Sequence, residues 1–343
     1  MYSFRNDYSE GAHPKVLQAL ADTNLRQTVG YGMDPCCQAA ADTIRRLCAA
    51  PDAAVHFLVG GTQVNLVTID AFLQSYEAVV AAQTGHVSTH ETGAIEATGH
   101  KVCTVESPDG KLTPALVESV LAGHNGTEHM VLPRMVYISD TTEIGTVYTR
   151  AELAALRQCC DVHGLFLYLD GARLGYGVMA DGADLTLPEI AHLCDVFYIG
   201  GTKVGALFGE AVVIMNPALK KDFRFIMKQR GGRMAKGRLL GIQFDALFTD
   251  DLYFRISRHA DEMAYQIRDI FVSAGYPLLF DSPTNQQYPI MPDEELAILG
   301  KNFGYEYWER TDPTHSGVRF CASWATTQEN VDALRAAVQA LKK

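Results

Sequence analysis

Two glycines, a threonine and a lysine close the string Asp195-Val-Phe-Tyr-Ile-Gly-Gly-Thr-Lys203. The apolar run before them reads as a buried strand, and the Gly-Gly break turns the chain sharply at its mouth. Lys203 is thus delivered to a strand end with little side-chain bulk around it. An amine held there can shed its proton and attack a carbonyl, as in a Schiff base with an aldehyde cofactor. An exposed loop lysine fits the same string, so other strand ends must decide.

Three further strand ends carry matching chemistry. After Phe57-Leu-Val59, the residues Gly60-Gly61-Thr62 open a helix, where backbone N–H groups, a hydroxyl and the helix dipole attract an anion. The string is neither a Walker A loop nor GxGxxG, so it suits a single phosphate rather than a triphosphate or dinucleotide; it also suits an ordinary turn. In Leu165-Phe-Leu-Tyr-Leu-Asp170-Gly-Ala-Arg173, Asp170 ends an apolar strand and needs a partner to stay charged. A protonated ring nitrogen would serve. Arg173 could meet a phenolic oxygen or a substrate carboxylate, or simply pair with Asp170. In Thr84-Gly-His86-Val-Ser-Thr-His90-Glu91, either histidine could lie on a planar cofactor. A lysine, a carboxylate, an imidazole and a phosphate cup at successive strand ends together describe a site for pyridoxal 5'-phosphate.

The elements around these residues alternate. Strands are expected at 54–59, 78–82, 101–105, 134–139, 165–169, 196–199 and 211–215. Helices are expected at 14–21, 36–49, 62–75, 114–122 and 150–163. Alternation of this kind predicts an α/β fold with a mostly parallel sheet, and ligands then gather at the carboxyl ends of its strands. From about residue 251 the pattern changes to a long helix (253–274), short strands at 288–291, 305–309 and 318–323, and helices at 294–303 and 328–341. The expected division is an N-terminal arm and large domain over 1–250 and a small α+β domain over 251–343.

Composition narrows the function classes. A net charge of −11 argues against nucleic-acid and anionic-membrane partners. The N-terminus lacks the apolar core of a signal peptide and no run is long enough to span a bilayer, so a cytoplasmic protein is expected. None of the eight cysteines forms a CxxC knuckle. Cys159 and Cys160 precede His163 on a helical pattern and read as packing thiols, and no metal is expected.

In order and spacing, Gly60-Gly61-Thr62, His86-x4-Glu91-x-Gly93-Ala94, Leu169-Asp170-Gly171-Ala172-Arg173 and Gly201-Thr202-Lys203 resemble the low-specificity L-threonine aldolases. These belong to the β-eliminating lyase group of fold-type-I pyridoxal phosphate enzymes. The likeness runs from Asn6-Asp7-Tyr8-Ser9 to Val318-Arg319-Phe320-Cys321-Ala322-Ser323-Trp324. It implies a Schiff-base role for Lys203, a pyridine-nitrogen contact for Asp170, ring stacking for His86, and phosphate contacts for Gly61, Thr62 and Thr202. Arg173 and Arg319 would hold the substrate carboxylate, with Asn6 nearby. Lys228 lies in a stretch matching a family loop that reaches an active site. An amino acid substrate, cleavage to glycine and an aldehyde, and a homodimer or homotetramer with the site at a subunit interface are implied as well.

The likeness breaks at one place. Family members often carry Glu-Asn-Thr-His, whose histidine contacts the substrate hydroxyl, whereas this chain reads Ser139-Asp-Thr-Thr142-Glu143-Ile-Gly145. The group that removes the β-hydroxyl proton is left open among His86, His90 and Glu143, in that order. A β-eliminating lyase or an aminotransferase would use the same cofactor site. A cofactor-free α/β binding protein would have to produce all four strand ends by coincidence.

Overall fold

The structure is a computed structural model that describes residues 1–124 and 126–342. Its strands are β1 (Tyr2–Ser3), β2 (Ala54–Leu58), β3 (Glu77–Ala82), β4 (Val102–Val105), β5 (Leu132–Ser139), β6 (Phe166–Asp170), β7 (Val196–Gly200), β8 (Glu210–Ile214), β9 (Gln286–Gln287), β10 (Ile290–Pro292), β11 (Phe303–Gly304), β12 (Glu306–Arg310) and β13 (His315–Cys321). The central sheet has seven strands in the order β2-β8-β7-β6-β5-β3-β4. Only β8 runs against its neighbours, antiparallel to both β2 and β7, so the sheet is mostly parallel as expected.

Two apolar layers cover the sheet because successive side chains on a strand point to opposite faces. Val136, Ile138, Leu167, Leu169, Phe197 and Ile199 enter one core. Met135, Tyr137, Tyr168, Val196 and Tyr198 enter the other. The residue that follows Leu169 therefore shares a face with three buried tyrosines.

The long helix Leu252–Ser273 links this sheet to the smaller one. Leu252, Tyr253, Ile256 and Ala260 pack into the first core. Met263, Ala264, Ile267 and Phe271 pack into a third, with Val318 and Phe320 of β13. The amino terminus joins this end of the molecule. β1 pairs in parallel with β11, Cys321 N donates to Phe4 O at 2.7 Å, and Phe4 is fully buried. Residues 6–8 are thereby carried back toward the large sheet.

Several elements differ from the sequence expectation. The strand expected at 288–291 is two pieces, β9 and β10, because Pro289 between them has no N–H to donate. The helix expected to reach Phe303 stops at Leu299, and Phe303 pairs with Tyr2 instead. Helices Leu174–Met179, Leu187–Leu193, Phe223–Gln229 and Arg238–Phe248 were not anticipated. The first contains Gly175 and Gly177, which weaken a helical signal. Among the described residues no helix is long and apolar enough to cross a membrane.

Candidate active site

Every residue of β7 is buried, and the chain reverses directly after it. Gly201 N donates to Gly209 O at 3.0 Å, Val204 N to Gly201 O at 2.9 Å, and Tyr253 Oη to Gly200 O at 3.0 Å. Tyr176 Oη donates to the carbonyl of Lys203 itself at 2.5 Å. The turn is thus pinned on several sides and aims Lys203 into a cavity of about 570 Å³. Burial, with Arg173 close by, holds the lysine pKa below its ordinary value, although Asp7, Glu143 and Asp170 pull the other way.

Asp170 ends the neighbouring strand β6 as a buried carboxylate. Its Oδ2 accepts from Tyr137 Oη at 2.5 Å and Asn65 Nδ2 at 3.0 Å. Its Oδ1 accepts from Ala172 N at 3.0 Å and from Tyr198 Oη. Burial alone would raise its pKa; the attraction of His86 and the phenolic donors outweigh it and hold the carboxyl below its usual range. Gly171 is needed for this packing, since a Cβ there would collide with Tyr198 O.

The loop after β3 forms the one-turn helix His86–Thr89 and brings His86 to the same cavity. His86 Nδ1 donates to the buried Glu91 carboxylate at 2.8 Å, and Asn65 Nδ2 donates to the same oxygen at 2.7 Å. Burial would lower the imidazole pKa, but Glu91, Glu143 and Asp170 outweigh it and raise it above its ordinary value. Asn65 ties this pair to Asp170, and Tyr168 Oη donates to Asn65 Oδ1 at 2.6 Å.

Arg173 pairs with Asp7 rather than Asp170. Its Nε donates to Asp7 Oδ2 at 2.7 Å and its Nη2 to Asp7 Oδ1 at 3.1 Å, both groups buried. Burial alone would raise the Asp7 pKa, but Arg173, Lys203 and the Asn285 amide bring it down to about 2. Arg173 and Arg319 both line the cavity, as does Asn6, which accepts from Tyr8 N at 3.1 Å. Arg319 Nη1 donates to Gln286 Oε1 at 3.2 Å and its guanidinium lies over Trp308 at 5.6 Å, while its buried Nε has no partner among the described residues.

The other expected residues lie elsewhere. Gly61 and Thr62 open the helix Gly61–Phe72, and a Cβ at Gly61 would come within 3.0 Å of Tyr198 Oη. That helix start therefore sits close to the Asp170 cluster without lining the cavity. Thr202 turns inward: its Oγ1 accepts from Gly209 N at 3.0 Å and its hydroxyl bonds the Glu210 carboxylate. Lys228 belongs to the helix Phe223–Gln229 and rests 4.4 Å above the Tyr31 ring, away from the cavity lining of its own chain. Cys159 and Cys160 are both buried in the first core as packing thiols, and Cys159 also brings its Sγ within 4.8 Å of ligand-type atoms of His163 and Glu118.

Sequence reasoning missed Asn65, Tyr137, Tyr198 and the Asp7–Arg173 pair. Strand phase could have found the tyrosines, because Tyr137, Tyr168, Tyr198 and Asp170 fall on one face. Nothing local predicts Asp7, whose partner is 166 positions away.

Comparisons with known proteins bear on the chain as a whole. The model of the β-eliminating lyase family matches residues 4–336. The low specificity L-threonine aldolase of Pseudomonas sp. (strain NCIMB 10558) is 33% identical, covering 98% of this chain and 97% of that protein. A threonine aldolase structure from Leishmania major superposes with a TM-score of 0.99 at 48% identity, covering 100% of both chains. A Thermus thermophilus aspartate aminotransferase shares the fold at a TM-score of 0.73 and 15% identity, covering 98% of this chain and 90% of its own.

Proposed function

Since this chain belongs to the β-eliminating lyase family, we propose that it is a pyridoxal 5'-phosphate-dependent aldolase. It would cleave L-threonine, L-allo-threonine or a related β-hydroxy-α-amino acid to glycine and an aldehyde. The observation that carries the reading is a buried lysine of lowered pKa beside a carboxylate kept charged by four donors, next to two arginines lining one cavity.

These residues fit the cofactor. When bound, pyridoxal phosphate supplies an aldehyde for amine attachment and an electron sink for the pair released at Cα. Lys203 is the nucleophilic amine, and its depressed pKa favours the neutral form that attacks. Asp170 offers a fixed negative charge to a ring nitrogen, and its four donors prevent it from swinging away. His86 would cover one side of the site, held in place by Glu91. Gly61 and Thr62 present a helix N-terminus to the phosphate, and Thr202 contributes by fixing the lysine turn. Arg319 and Arg173 grip the substrate carboxylate beside Asn6 and so set which bond at Cα is oriented for cleavage.

A homodimer or homotetramer belongs to the same reading. Leu25, Val29, Met33 and Phe225 are exposed apolar side chains on or beside the segments where residues 23–33 meet residues 224–238. Lys228 would then serve a neighbouring copy's site. A cytoplasmic setting suits eight free thiols.

The test is aldehyde release from L-threonine and L-allo-threonine by cofactor-saturated protein, with borohydride trapping of the cofactor on Lys203. Lys203→Ala should abolish both trapping and release, and normal turnover in that variant would refute the assignment. A keto acid plus ammonia instead of glycine plus an aldehyde would favour β-elimination, the reaction for which the family is named.

A further inference from the structure

The residue that takes the substrate's hydroxyl proton can be argued from the loop 139–146. Thr142 is turned away from the cavity. It is buried, its Oγ1 lies 2.7 Å from Thr146 Oγ1, and it packs on Gly110, where a Cβ would meet it at 3.3 Å. Glu143, the next residue, lines the cavity together with His86, His90, Arg173 and Lys203. The backbone holds it there: Tyr288 Oη donates to Glu143 O at 2.7 Å, and Ser282 and Thr284 donate to Gly145 O at 3.1 and 3.3 Å. Among the described residues the Glu143 side chain enters no hydrogen bond or ion pair, so its oxygens are available to accept. His86 is less suited, since its Nδ1 is committed to Glu91 at 2.8 Å. His90 is the rival, exposed at the end of its short helix with its ring 5.6 Å from His86.

Resting on the aldolase reading above, we propose that the Glu143 carboxylate is the general base that removes the β-hydroxyl proton. The O–H proton passes to a carboxylate oxygen of Glu143, and the freed pair on oxygen forms the C=O bond of the leaving aldehyde. The Cα–Cβ bond breaks, and its electron pair remains on the Cα side until that carbon takes up one proton. One proton leaves oxygen and one reaches Cα, so glycine and an aldehyde form with no change of redox state.

The test uses holoenzyme variants Glu143→Gln, Glu143→Asp and His90→Asn. Removing a general base lowers the rate by about 10²–10⁴-fold. Glu143→Gln should lose aldehyde release to that extent while still exchanging the Cα hydrogen of glycine in D₂O, a step with no hydroxyl proton to remove. Glu143→Asp should recover part of the loss. A readout independent of turnover is the NMR titration of His90 in the cofactor-free protein. His90 faces Glu143, His86, Arg319 and Arg173, and Glu143→Gln should shift its midpoint downward. Unchanged aldehyde release in Glu143→Gln, an equal loss of release and exchange, an unmoved His90 midpoint, or a loss confined to His90→Asn would each overturn the assignment. Wild-type enzyme that releases no aldehyde would overturn the aldolase reading itself, whereas active wild type with active Glu143→Gln would overturn only this one.

Discussion

Two aspartates at adjacent strand ends share the same burial and behave in opposite ways. Asp170 is the last residue of β6 and Asp140 directly follows β5, and Asp140 N donates to Asp170 O at 2.9 Å. Both carboxyls are buried to within a few per cent. Asp170 accepts four hydrogen bonds and is held below the ordinary carboxylate range, with His86 nearby. Asp140 has an Oδ1 with no partner among the described residues, and burial pushes its pKa up to about 7 despite a backbone donor from Tyr148. Burial does not decide the charge of these groups. What decides it is a neighbouring cationic group, His86 beside Asp170, together with the number and kind of donors.

Asp7 extends the Asp170 side of this contrast and gives the largest expected effect. Its carboxylate holds Arg173 through two hydrogen bonds, with both side chains buried. Asp7→Asn leaves the guanidinium facing a neutral amide, and breaking such a pair costs about 3–5 kcal/mol. Urea denaturation of the variant should show that loss. A change under ~1 kcal/mol would mean the pair is screened as a surface pair is, and the contrast would fail there. Asp170→Asn comes next. It keeps the shape and removes the charge, and losing one preorganised electrostatic partner lowers kcat by about 10²–10³-fold. Steady-state kinetics at saturating cofactor checks this, and an unchanged kcat would remove the electronic role of Asp170.

How legible the site was in the sequence follows the same division. Lys203, Asp170, His86 and the Gly61-Thr62 turn were readable because each sits just after an apolar run, and the sheet then carries all four to one edge. The seven strands of the large sheet were readable for the same reason. Tyr137 and Tyr198 were hidden inside those runs, where a phenol counts as one more apolar residue until strand phase shows which face it joins. Asp7 and Arg173 were unreadable as partners, because their contact depends on β1 pairing with β11 at the far end of the chain. The replacement of a histidine by Thr142 was visible, but not that the loop buries Thr142 and turns Glu143 to the cavity.

Asp140 supplies the smallest and most diagnostic prediction, since its sign is opposite to that of Asp7. An unfolded aspartate titrates near 3.8, and folded Asp140 titrates at about 7. Between these values the folded state binds a proton that the unfolded state has lost, so stability falls as pH rises through this window. Asp140→Asn cannot ionise and escapes that loss. The full shift would be worth at most ~4 kcal/mol, and relaxation around the charge brings the expected gain to about 2 kcal/mol at pH 8. Denaturation midpoints at pH 5 and pH 8 are the measurement. Wild type should lose more stability across the interval than Asp140→Asn, in which Glu210 and Asp261, also raised by burial, still titrate; aldehyde release should be retained because Asp140 lines no part of the cavity. If the two proteins respond alike, Asp140 is ionised and partnered in the fold, and partner number would no longer separate it from Asp170.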